Sequence, residues 1–355
     1  MIDSKDISVI VQGAINTEYT QRCVISIKKH LPNAEIILST WEDANTIQYE
    51  KLCDVIIKNK DPGASVFTFD NKKQNQNRQI FSTINGLKKS SRKYSLKLRS
   101  DMEIRGTNFL SYFAKYPFRN EKYKILKERV LINNLYTRNP YSNLPYLFHP
   151  SDWVMFGLTE DLINIWDISL AKEPDFSQYF KLNEPINNLI DTKYCFTKYH
   201  AEQYIWISFL RKYHININMK DWTDYKNNDL KELSMIILIN NLCVLDYISQ
   251  LDIICLKYPK YDKTPVMFNW DWQFYYKKYC DKSFKISMGA KFYKAINSFQ
   301  VLNYLINLKK YLIRARYSKK EKYLILFNHV IYCTPNSHMD LLYKNKKEIR
   351  KHANK

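Results

Sequence analysis

Asp101 and Glu103 stand one residue apart at the end of "LKLRSDMEI" (96–104), an apolar–basic alternation that closes on two acids. Carboxylates at i and i+2 on a turn can reach one hard cation, Mn2+ or Mg2+, whose shell is completed by water and substrate phosphates. A cation held this way neutralises a departing diphosphate, and Lys97 and Arg99 can add positive charge beside it. The plainer alternative is an ion pair of Asp101 with Arg99 or Arg105 on a solvated turn, because D-x-E is common by chance.

The elements that must position these acids follow from hydrophobic periodicity. "ISVIVQG" (7–13) is a β-branched run ending in Gly, the pattern of a buried strand. In 18–32, Cys23, Val24, Ile27 and Leu31 recur at helical spacing, with Pro32 just beyond. "AEIILSTW" (34–41) and the start of "DVIIKNKDPG" (54–63) predict two more strands, and the latter ends in a Pro-Gly turn. In 77–90, Ile80, Ile84 and Leu87 share one helical face, and "YSLKLRSDMEI" (94–104) predicts a fourth strand running into the two acids. Strand, helix, strand, strand, helix, strand is an α/β pattern with a mostly parallel sheet. Such sheets bind ligands outside the carboxyl ends of their strands. Gln12-Gly13, Ser39-Thr40-Trp41, Asp61-Pro62-Gly63 and Arg99 to Glu103 all fall there, which places the two acids at the expected crevice.

Several chemistries are disfavoured. No G-x-G-x-x-G follows the first strand, and neither a P-loop nor a G-x-S-x-G elbow occurs, so phosphate contacts fall to side chains and helix N-termini. The seven cysteines form no C-x-x-C and the seven histidines no H-x-x-x-H, which disfavours zinc and a redox pair. His149 and His200 read as ordinary polar residues near later acids.

Hydrophobic residues make up 45% of the 355, enough for a sizeable core, so disorder is not expected. The net charge of +20 predicts a polyanionic partner: nucleic acid, an anionic membrane surface or phosphorylated substrates. Residues 281–355 hold 17 Lys and Arg against 4 Asp and Glu, so +13 of that charge sits in the tail. There, Phe299, Leu302, Leu305, Ile306, Tyr311 and Ile313 alternate with Lys309, Lys310, Arg314, Arg316, Lys319 and Lys320 as on a basic amphipathic helix. Such a helix either lies on an anionic leaflet or packs on the domain with its lysines in water. The apolar stretch 233–256 is broken by Asn240, Asn241, Asp246 and Asp252, which suits a buried helix or strand pair better than a membrane span. "MIDSKDISVIVQG" does not read as a signal peptide, and the scattered cysteines suit a reducing compartment. The expected location is therefore the cytoplasm, peripheral at the inner face of the plasma membrane. The expected organisation is a catalytic domain over 1–230 and a basic, aromatic-rich, mainly helical region over 231–355.

"VIVQGAI", "AEIILSTW", "DPG", "NRQIFSTINGL" and "LKLRSD" occur in this order, followed by "HPSDWVMFGLTEDL" (149–162) and "KYHAEQYIWISFL" (198–210). Together they resemble the WavE-type lipopolysaccharide-synthesis family of bacterial glycosyltransferases, over roughly residues 7 to 215. Ala14 departs from the Pro expected after Q-G, which alters the stiffness of that turn. The resemblance implies a GT-A-like, Rossmann-type sheet, a nucleotide-sugar donor, and an oligosaccharide or lipid-linked glycan acceptor of capsule or lipopolysaccharide. By the same resemblance Asp101 and Glu103 form the metal motif, and Gln12, Gly13, Ser39, Thr40 and Trp41 line the nucleoside pocket. Asn77 and Arg78 open a helix that can face a phosphate. Glu202 is then the first choice for the base that deprotonates the acceptor hydroxyl, and Asp152 the second. Trp41 can equally be a packing residue, Asn77 an N-cap, and Glu202 a helix-start acid stabilised by the dipole.

Two readings of other classes compete. A nucleic-acid-binding protein would use the interleaved Tyr and Lys, but the charge lies outside the α/β motifs and no nucleic-acid module occurs, so no nucleic acid is expected as partner. An inactive scaffold of polysaccharide assembly would keep the fold without turnover. Steep salt dependence of oligonucleotide affinity would mark the first, and unchanged behaviour of Asp101→Ala the second.

Overall fold

Val9, Ile10 and Val11 are completely buried in the strand that runs through the middle of the molecule, and the rest of the architecture is arranged around it. The computed structural model describes residues 2–68, 71–142, 146–183, 195–247, 249–257, 266–298, 323–326 and 329–333. In chain order the first half contains β1 (Ile7–Gln12), α1 (Thr17–His30), β2 (Glu35–Trp41), β3 (Val55–Asn59), the short β4 (Ser65–Val66) and β5 (Lys73–Gln74), α2 (Gln76–Leu87), β6 (Tyr94–Arg99) and β7 (Met102–Ile104). Then come β8 (Val130–Asn133), β9 (Met155–Leu158), α3 (Thr159–Trp166), α4 (Tyr179–Asn183), α5 (Ala201–Lys212), α6 (Asn228–Asn241), β10 (Leu242–Leu245), β11 (Ile253–Cys255), α7 (Asn269–Tyr279) and α8 (Met288–Ser298). A hairpin of β12 (Tyr323–Leu326) and β13 (His329–Cys333) completes the described elements.

Seven strands form one sheet in the order β10-β8-β9-β6-β1-β2-β3. All neighbours are parallel except β9, which is antiparallel to both β6 and β8. The fold is therefore α/β with a mostly parallel sheet flanked by helices. The two-sided burial of such a sheet explains why β1 and β2 read as continuous apolar runs. Gly86 lets α2 approach β1 closely: a Cβ there would lie 2.5 Å from Ile10 Cγ2.

The chain leaves β1 toward β2 on one side and returns to β6 on the other, so the ends of β1 and β6 flank a topological switch point. The edges of that crevice are tied together. The Ser100 N–H donates to the Gln12 carbonyl at 3.0 Å and the Ser100 hydroxyl to the Ala14 carbonyl at 2.6 Å, while Gly13 takes φ 117° between them.

Two expectations are revised by the sheet. Residues 94–104 are not one strand. β6 stops at Arg99, a turn carries Ser100 and Asp101, and Met102–Ile104 pairs antiparallel with β11 in a separate two-stranded sheet. Beyond residue 230, β10 joins β8 in the main sheet, so the region expected as a mainly helical extension also supplies an edge strand to that sheet. The basic amphipathic segment over 299–320 lies outside the described residues. Among the described residues, no helix is long and apolar enough to cross a membrane.

Candidate active site

The carboxyl end of β6, the approach to β9 and the start of α5 meet at one place. Lys97 and Arg99 come from β6, Asp101 from the turn behind it, Asp152 from the segment leading into β9, and Glu202 from the first turn of α5. Because β9 runs opposite to its neighbours, its leading segment lies at the carboxyl edge of the parallel strands. That single reversal brings Asp152 to the acids expected from β6.

Asp152 is buried, and its Oδ2 accepts from Gln79 Nε2 of α2 at 2.6 Å. Burial raises its pKa, and the Glu202 charge raises it further, against the lowering pull of Lys97 and Arg99. Burial likewise raises the pKa of Glu202. Lys97 is fully buried, with Nζ donating to the Asp152 carbonyl and lying 4.7 Å from the Trp166 ring centroid. Its pKa is lowered by burial and drawn back up by the Asp152 carboxylate. Removed from the surface, Lys97 acts through Asp152 and offers a donor phosphate nothing to touch. Arg99 is the accessible cation of the pair. Its guanidinium stacks 4.3 Å from the Trp153 centroid and donates to Asp101 Oδ2 at 2.7 Å.

Glu202 Oε2 lies 3.6 Å from His149 Nε2. His149 Nδ1 is 2.9 Å from the Tyr136 carbonyl, an acceptor only, so Nδ1 carries the proton and Nε2 presents a lone pair toward Glu202. Burial and then Arg138 depress the His149 pKa to about 3, and burial and then His149 do the same to His200. Both imidazoles are neutral at pH 7. His200 caps α5, with its N–H held by Gln203 Oε1 at 3.1 Å. Arg138, Gln79, Trp153 and the two imidazoles complete the constellation; all but Arg138 stand inside the quoted motifs, but none was given a role there. His149, Trp153 and His200 carry a sequence clue, through their closeness to Asp152 and Glu202.

The D-x-E pair does not converge on one point. Glu103 Oε2 takes two hydrogen bonds from Arg22, at 2.8 and 2.5 Å, and its Oε1 takes one from Arg105 at 3.3 Å. Asp101 is held by Arg99, the pairing of the plainer alternative, although the turn is buried and not solvated. Asp101 keeps one resource: Oδ1 is buried with no hydrogen-bond partner among the described residues. That oxygen fits a single divalent-ion ligand, with diphosphate and water supplying the others; Glu103 does not fit that role. Among the described residues, no group of three or more His, Cys, Asp or Glu is placed to hold a metal by itself.

Several other expected contact residues are occupied by the fold. Ser39 is fully buried, donating to the Ser82 carbonyl at 2.7 Å and accepting from Asn59 Nδ2 at 2.9 Å. Thr40 is also fully buried. Asn77 clamps the Ala171 backbone in both directions, at 2.9 and 2.8 Å. Arg78 grips Asp61 through two nitrogens, so its guanidinium closes the end of β3 onto α2. Gln12 accepts from the Ser82 hydroxyl at 2.8 Å, Gly13 sits at the switch point, and Trp41 is nearly buried at the end of β2.

Buried acids of raised pKa beside a stacked arginine, at the switch point of a parallel sheet, suit proton removal next to a departing anion. Among curated proteins none matches this sequence. Residues 7–305 match the family model described as WavE lipopolysaccharide synthesis, well past the stretch that the motifs covered. The chain belongs to the WavE lipopolysaccharide-synthesis family.

Proposed function

We propose that this chain is a GT-A-like glycosyltransferase of lipopolysaccharide synthesis, moving a sugar from a nucleotide-sugar donor to a hydroxyl of a glycan acceptor. The observation that carries this reading is the placement of Glu202, its carboxylate taking no hydrogen bond from another described residue, beside Asp152 and Arg99 at the carboxyl edge of the sheet. In the proposed step the acceptor hydroxyl oxygen attacks the anomeric carbon as the bond from that carbon to the diphosphate oxygen breaks. The hydroxyl proton passes to Glu202, and the bonding pair departs with the diphosphate. The transfer is a single displacement and inverts the anomeric centre.

Each neighbour has a part in that step. The raised pKa of Glu202 makes it a stronger base than an exposed glutamate, and the neutral His149 lone pair facing it can take up the proton's hydrogen bond afterwards. Asp152, fixed by Gln79, orients a substrate hydroxyl, and Arg99 faces the developing charge of the leaving group. Mn2+ or Mg2+ bound at Asp101 Oδ1 would supply further neutralisation of the diphosphate. The basic tail offers charge for an anionic membrane surface, which suits a lipid-linked acceptor. Incubation with a panel of nucleotide sugars tests the reading: one donor class should release its nucleotide, and the transferred sugar should carry the opposite anomeric configuration by proton NMR. Retention of configuration would rule out Glu202 as base in a single displacement.

A further inference from the structure

Beyond the end of β10, a cavity of about 290 Å³ opens beside Asp246, the residue that follows the strand. Asp246 is only 8% exposed. Its Oδ1 accepts from the Asn269 N–H at 2.9 Å and from Asn134 Nδ2 at 3.4 Å. Its Oδ2 receives no hydrogen bond from a described residue, and the side chain lines the cavity. The carboxylate therefore has acceptor capacity left, which a ligand hydroxyl in the cavity can use.

The surrounding amides are already fixed. Gln250 Oε1 accepts from the Asp246 N–H at 2.9 Å, and Gln250 Nε2 donates to Asn269 Oδ1 at 3.2 Å. Gln273 Nε2 reaches the same Asn269 oxygen at 2.9 Å, while its Oε1 accepts from the Ser287 N–H at 3.1 Å. This chain of bonds holds the polar wall in one arrangement. Tyr112 and Trp270 add aromatic surface, and Trp270 is stacked on Phe268 at 4.0 Å with ring planes 9° apart. Among the described residues that line the cavity there is no lysine or arginine, which disfavours a phosphate. The volume lies at the small end of ligand cavities, which run from about 300 to 1,000 Å³. A neutral, hydroxyl-rich ring fits this lining: its hydroxyls donate to the carboxylate and its apolar face lies on an aromatic ring.

The cavity and the acids share one edge of the sheet. β10 stands three positions from β6, about 14 Å at ordinary inter-strand spacing. The turn after β8 joins the two places. Asn134 contacts Asp246, Thr137 Oγ1 accepts from the Ser151 N–H at 3.0 Å, and the Tyr136 carbonyl fixes His149.

We propose that this cavity binds a sugar ring of the acceptor glycan, a few residues along the chain from the hydroxyl that reacts, with Asp246 Oδ2 accepting from ring hydroxyls. That the glycan is an acceptor rests on the transferase reading; that the cavity binds a neutral sugar does not.

The test uses the full chain without nucleotide, on an array of bacterial lipopolysaccharide-core and O-antigen oligosaccharides. The wild type should retain one related group of oligosaccharides. Asp246→Asn, which places an amide where an acceptor is needed, should lower that affinity at least tenfold. Tyr112→Phe keeps the lining ring, removes the hydroxyl that bonds Gln250 in the cavity wall, and should lower it severalfold; it serves as the second variant if Asp246→Asn folds poorly. Native near-ultraviolet circular dichroism verifies folding in each case. Retention of no oligosaccharide by the wild type, or equal retention by folded variants, overturns the inference. Failure of the transferase reading shows separately, as glycan retention by a protein that turns over no nucleotide sugar.

Discussion

Glu202 Oε2 faces His149 Nε2 across 3.6 Å, while the other imidazole nitrogen is committed to the Tyr136 carbonyl. The imidazole is thereby fixed in one tautomer, and the carboxylate is left with a neutral acceptor as its neighbour. A proton arriving on Glu202 can be shared with that lone pair without creating a charge pair in a buried place. Glu202→Gln keeps shape and removes basicity. It should lower kcat by about 10²- to 10⁴-fold with little change in KM, as expected of a lost general base. Steady-state rates of nucleotide release test this, and a change confined to KM would assign Glu202 to binding alone.

Lys97 is buried beneath Asp152, donates to its carbonyl and is attracted by its carboxylate. Lys97→Met leaves that carboxylate without its nearest buried cation and should cost about 3–5 kcal/mol of stability. The double variant Lys97→Met/Asp152→Asn should lose less than the two single losses together, since neither group is then left charged and alone. Denaturant unfolding measures all three. Additive losses would show that the two residues do not interact.

The two acids of the D-x-E should separate by function. Asp101→Asn should abolish the extra thermal stabilisation that Mn2+ gives a nucleotide-sugar complex. Glu103→Gln should leave it intact and cost only about 1 kcal/mol, because its partners Arg22 and Arg105 are about half exposed. Equal loss in both variants would restore the pair as a joint metal ligand.

Burial pushes the Asp246 pKa up to about 7. The folded state then holds a proton that the unfolded chain releases near pH 4, so stability falls as pH rises from about 4 to about 7. Asp246→Asn removes this contribution. The stability of the variant relative to wild type should therefore rise across that window, by at most about 1.4 kcal/mol per pH unit. Denaturant titrations at several pH values read the difference directly, and a flat difference would show that Asp246 is ionised in the fold at all of them.

The first hundred residues were legible because their strands are continuous apolar runs and their helices carry clean stripes, as at Cys23, Val24 and Ile27. The carboxyl-edge rule then placed Arg99, Asp101 and the Gln12-Gly13 turn at the switch point. What the one-dimensional pattern does not carry is direction. β9 looks like any other short apolar run, yet its antiparallel course is what brings Asp152 beside Lys97. Ser39, Thr40 and Asn77 stand at strand and helix ends as binding residues would, but α2 engages Ser39, Thr40 is buried, and the Ala171 backbone of a loop holds Asn77. The pairing of Glu103 with Arg22, 81 residues away, is a tertiary contact without local trace. The same holds for the wall around Asp246, assembled from β10, α7 and the loop after β11's partner strand.

A nucleotide sugar should bind at the carboxyl edge of the sheet, with Glu202 carrying the proton step. Thermal shift and nucleotide release should be measured together on the wild type and Glu202→Gln with a panel of nucleotide sugars. One donor class should raise the melting temperature of both proteins, while only the wild type turns it over at an appreciable rate. No shift of the wild type with any nucleotide sugar, or full turnover by Glu202→Gln, would contradict it.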